Sequence, residues 1–121
     1  MIFHALSTFG ILLVVAGYLL RRRLGWHVLC MVTAAVTDYG VLISLELARG
    51  PAIARALQAP SPLLRFHIAV SALALLCYPV LAVLGTGAVR KHPGWLPAHR
   101  WTGRCFLAFR LANWLTSWMV P

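Results

Sequence analysis

Four long, predominantly apolar stretches make up most of this chain: Ile2 to Leu20, Trp26 to Ala48, Leu63 to Leu84, and His99 to Val120, which holds Arg110 halfway along. Each is long enough to cross a bilayer, since about 20 helical residues span the hydrocarbon core. Lipid offers no hydrogen bonds to the backbone, so only helices and closed barrels can span it. Charged residues make up 11% of the chain and hydrophobic residues 61%, whereas a soluble domain carries about a quarter charged. The expected fold is all-α: an integral membrane antiparallel four-helix bundle, forming one domain over residues 1–121, with helices at about 2–20, 26–48, 63–84 and 99–120.

Breakers punctuate these runs. Arg21, Arg22 and Arg23 stop the first abruptly, and Gly50-Pro51 ends the second. The connection from Arg49 to Pro62 includes Pro60 and has room for a short interfacial turn at Ala52 to Leu57. Pro79 lies inside the third run and is expected to kink it, which a bundle tolerates when neighbours satisfy the freed carbonyl. Gly85-Thr86-Gly87 is expected to loosen its exit. Arg90 to Ala98 then forms a basic loop, with Pro97 just ahead of the fourth helix. Arg21, Arg22, Arg23, Arg90, Lys91, Arg100 and Arg104 cluster at the first and third connections. The positive-inside rule places those connections in the cytoplasm and both termini on the outer side. Trp26, Trp95 and Trp101 would form the inner aromatic belt, and Trp114 and Trp118 belong to the outer one. The first run lacks a basic n-region and a small-residue cleavage site, so it reads as a retained helix.

Each run begins with a histidine. His4 and His67 fall near the outer face, His27 and His99 near the inner face. Each pair comes from helices two apart in order, which face each other diagonally in a four-helix bundle. Such helices can hold a planar haem b with one imidazole on each side. The spacing allows two haems, roughly 24 Å apart at 1.5 Å rise per residue, or one at the inner pair. Arg100 and Arg104 would hold inner propionates with Arg21 to Arg23, and Arg65 would do so outside. His92, in the RKHPGW loop, reads as a surface residue or a propionate partner. A histidine at a helix start is often only an interfacial side chain; four in two diagonal pairs form a pattern.

Charges also occur deep inside the runs. Asp38 follows His27 by eleven residues, and Arg110 follows His99 by eleven. Eleven residues are close to three full turns, so each charge lies on its histidine's face, within about 20°. Both helices start from the same side, so both charges sit roughly 16 Å beyond the inner histidines. The expected arrangement is a buried pair joining the second and fourth helices, with Tyr78 and Asn113 in the same polar layer. A role in tuning an outer haem or in passing protons is the sharper alternative.

Several function classes are disfavoured. The formal charge of +9 comes from residues at the ends of apolar runs, where they face lipid headgroups and not nucleic acid. Cys30, Cys77 and Cys105 lie within apolar runs without CxxC spacing and read as small buried side chains. Two histidines per leaflet match four-coordinate zinc poorly.

The RRR turn before His27, the RFHIAVSALAL segment with His67, and the basic turn into HRWTGR with His99 resemble the YozB-like family of four-helix bacterial membrane proteins of unknown function. The histidine layout is also similar to the b561-type di-haem cytochrome core, although this chain has four helices and places its histidines nearer their ends. That similarity implies transmembrane electron transfer. The expected location is a bacterial cytoplasmic membrane, with a quinol or protein electron donor and a homodimer or larger complex as the candidate partners. A non-redox subunit or assembly factor, and a small dimeric transporter using Asp38 and Arg110, are the alternative functions.

Overall fold

The computed structural model describes residues 2–58 and 61–120; Pro60 lies outside them. Among the described residues every element is helical: α1 (Ile2–Leu19), α2 (Leu24–Arg49), α3 (Ala52–Gln58), α4 (Pro62–Val89) and α5 (Trp95–Ser117). Three of them, α1, α2 and α4, are long and apolar enough to cross a membrane. The length of α5 is 23 residues, but Arg100, Arg104 and Arg110 fall within any membrane-length part of it, and it does not pass on composition.

α1 packs along α2, and α4 along α5; α1 also touches α5, and α2 touches α4. Ile11, Val14, Ala34, Ala74, Tyr78 and Phe106 form the buried core. Large apolar side chains cover the outside: Leu12, Leu19, Val36, Leu47 and Leu76 are all more than 60% exposed. An outward apolar surface of this kind suits lipid, not water.

The ends follow local chemistry. α2 stops at Gly50, whose φ of 82° is the left-handed region glycine adopts freely. Its N–H bonds to the Glu46 carbonyl at 3.0 Å. α4 does not loosen at Gly85-Thr86-Gly87; it continues to Val89. Both glycines lie against neighbours, Gly85 against His99 and Gly87 beneath Trp95, so close packing and not flexibility explains them. α5 begins at Trp95, ahead of the expected His99. Pro97 sits inside its first turn, where a missing N–H costs nothing because no helical carbonyl precedes it.

Pro79 removes the donor that would bond the Leu75 carbonyl one turn back. Tyr39 of α2 supplies it: its hydroxyl donates to the Leu75 oxygen at 2.5 Å. The neighbouring helix thus satisfies what the proline freed.

Candidate functional site

The inner site begins with two helix starts. α1 ends at Leu19, so the Gly17 carbonyl has no partner within its helix. The His27 Nδ1 lies 2.8 Å from that oxygen. A carbonyl only accepts, so Nδ1 carries the proton and the lone pair is on Nε2. His99, in the second turn of α5, repeats the device: its Nδ1 lies 3.1 Å from the Leu81 carbonyl of α4. Gly85 makes this approach possible, since a Cβ there would stand 3.0 Å from His99 Cε1. The two rings meet edge to face, with centres 6.3 Å apart and planes at 78°.

Both imidazoles are therefore held from behind, each with a free Nε2. Both residues are half-buried. Among the described residues the only buried side-chain polar atom without a partner is Arg55 Nε. Neither Nε2 is among the buried polar atoms that lack a partner. Arg100 and Arg104 are exposed at this same end of α5. Arg21 is engaged elsewhere, bonding the Tyr18 carbonyl at 3.1 Å and lying over its ring. His92 is exposed against Trp95, with ring centres 5.4 Å apart.

A charged layer crosses the middle of the molecule. Arg110 is fully buried. Its Nε donates to Asp38 Oδ2 at 2.9 Å and its Nη2 to Oδ1 at 3.0 Å, a two-pronged pair between α5 and α2. From α4 the Tyr78 hydroxyl donates to Asp38 Oδ2 at 2.6 Å. From α1 the Ser7 carbonyl accepts from Nη2 at 2.9 Å. All four long helices therefore meet at the Arg110–Asp38 pair. Gly10 leaves it room: a Cβ there would lie 2.7 Å from Arg110 Nη2. Asn113 is not in this layer; it accepts from Ser71 at 2.5 Å.

The outer histidines are not brought together. His4 packs edge-on against Trp118, with centres 4.7 Å apart. His67 bonds through Nδ1 to Thr116 Oγ1 at 2.7 Å. No ring contact joins them among the described residues. Arg65 lies exposed in the first turn of α4. Trp114 is tied to Thr8 at 3.0 Å. The three cysteines are free and half-buried.

The sequence pattern picked out the histidines and charges but missed their supports: Ser7, Gly10, Gly17, Gly85 and Thr116. The glycines carried a weak signal, since Gly10 and Gly17 stand seven apart on one helix face. Comparison with protein-family models, curated proteins and solved structures finds no match.

Proposed function

We propose that this chain is a membrane protein that binds haem b between His27 and His99 and passes electrons through it. The single observation that carries this reading is the inner pair, with ring centres 6.3 Å apart and each Nδ1 already bonded to a carbonyl. Two imidazoles bound through nitrogen at about 2 Å on opposite sides of one metal ion hold their centres about 6 Å apart. Neutral imidazole is the ligating form, and a hydrogen bond from the other nitrogen fixes its tautomer and orientation. Two ligands are too few for zinc, and among the described residues no group of three or more His, Cys, Asp or Glu could complete a metal site. Haem iron needs only its axial ligands from the protein.

His27 and His99 would supply those axial nitrogens, and Arg100 and Arg104 the charges for the propionates. When bound, the haem supplies a one-electron couple. The chain's own work is to hold the two imidazoles and fix their tautomers from Gly17 and Leu81. His4 and His67 have separate partners, so the proposal is one haem at the inner pair.

The architecture belonging to this reading is an antiparallel four-helix bundle of α1, α2, α4 and α5 in a bacterial cytoplasmic membrane, with the basic turns inside and both termini outside. α5 joins it because Arg110 is neutralised within the bundle while Arg100 and Arg104, near its start, reach headgroups. A quinol or a protein would donate the electron. Transport through Asp38 and Arg110 is disfavoured, because their hydrogen bonds are used between helices. The test is a dithionite-reduced minus oxidised spectrum of the protein purified in detergent. Sharp b-type bands are expected; a colourless, folded protein would sink the proposal.

A further inference from the structure

The turn between α4 and α5 builds a groove that the haem reading does not use. Its volume is about 370 Å³, and Ala82, Val83, Thr86, Arg90, His92 and Trp95 line it with Gly87. Lys91 and Gly94 both take positive φ, 59° and 78°, and the tight turn lays Trp95 directly on Gly87. A Cβ on Gly87 would fall inside the indole. The groove is separate from the histidine site. Gly85 on α4 lies against His99, whereas Ala82, Val83 and Thr86 are exposed.

Charge identifies the occupant. The whole chain has two acidic residues against eleven Lys and Arg. Asp38 is spent on Arg110, and Glu46 lies near the opposite end of α2 from His27. No carboxylate remains at the end that carries Arg90, Lys91, Arg21 to Arg23, Arg100 and Arg104. The Arg90 guanidinium has no partner among the described residues. Arg90 is exposed, so an anion that pairs with it would come from outside the chain. The floor is apolar and belongs to a helix apolar enough to span a bilayer.

We propose that this groove is a binding site for one anionic phospholipid. Its phosphate sits on Arg90 and His92, its glycerol region against Trp95, and an acyl chain runs over Ala82 and Val83. The site rests on α4 lying in a bilayer, not on haem binding. A bound lipid would brace the turn from which α5, and with it His99, starts.

The test is native mass spectrometry of the protein released from nanodiscs containing equal phosphatidylglycerol and phosphatidylcholine. One phosphatidylglycerol should be retained in preference to phosphatidylcholine. Arg90→Gln should cut that preference about five-fold, while Arg22→Gln, at the other basic turn, should leave it unchanged. Gly87→Ala keeps every charge but displaces Trp95, and should cut it as well; Trp95→Ala serves if Gly87→Ala fails to fold. Equal retention of the two lipids overturns the proposal. So does an equal loss in Arg22→Gln, or full preference after Trp95 is displaced, since both would mark a diffuse basic surface. Inorganic phosphate displacing the lipid at millimolar concentration would overturn the phospholipid assignment in favour of a free-anion site.

Discussion

Arg110 shows what one residue costs and what it secures. Burying a guanidinium is expensive, and the cost is met only by a partner with good geometry and further hydrogen bonds. Asp38 provides two contacts, Ser7 adds a carbonyl, and Tyr78 steadies the carboxylate. Arg110→Leu leaves Asp38 charged and unpaired, and should lower stability by about 3–5 kcal/mol. The double variant Arg110→Leu with Asp38→Leu should recover most of that loss, since neither charge then remains buried. Unfolding in detergent with increasing SDS reads both; equal stability of wild type and Arg110→Leu would show that the pair contributes nothing. Tyr39 is the second residue with a single clear task. Tyr39→Phe strips the Leu75 carbonyl of its donor, and the same titration should show a loss of about 1–3 kcal/mol.

At the scale of elements, small residues decide how closely helices approach. Gly10 admits the guanidinium, Gly17 lies against Cys30 and Met31, and Gly85 lies against His99. Gly85→Ala should displace His99 from the Leu81 carbonyl and weaken haem binding about ten-fold, the usual scale for disturbing a ligand's support. Helix content by circular dichroism should stay unchanged, and an unaltered haem affinity would remove Gly85 from the site. The same elements mark how far the sequence could be read. The depths of Asp38 and Arg110 were legible because eleven residues return a helix to nearly the same face. Likewise, His27 and His99 were legible as a pair, because both open helices that run the same way. The extents of α4 and α5 were not. Glycine and proline signal breaks only on average; Gly85 and Gly87 instead serve packing, and Pro97 fits a first helical turn. His4 and His67 obeyed the same pattern as the inner pair, yet took Trp118 and Thr116 as partners. Nothing in the spacing of histidines encodes the neighbours that claim each ring.

For the whole molecule, the proposed arrangement has a basic inner end holding the redox site, a charged layer at mid-depth and an outer end without a matched histidine pair. Its orientation can be read directly. Single cysteines at Arg22 and His92, in a background where Cys30, Cys77 and Cys105 are replaced by alanine, should both react only after a cell-impermeant thiol reagent is admitted to the cytoplasm. Labelling of either from outside would reverse or break the proposed topology. The central claim is that His27 and His99 hold a single haem. The direct measurement is the haem content and the reduced minus oxidised spectrum of His4→Ala, His27→Ala, His67→Ala and His99→Ala beside wild type. The account predicts one b-type haem per chain, lost in His27→Ala and His99→Ala and kept in His4→Ala and His67→Ala. Haem that survives removal of either inner histidine, or a folded wild-type protein with no haem at all, would contradict it.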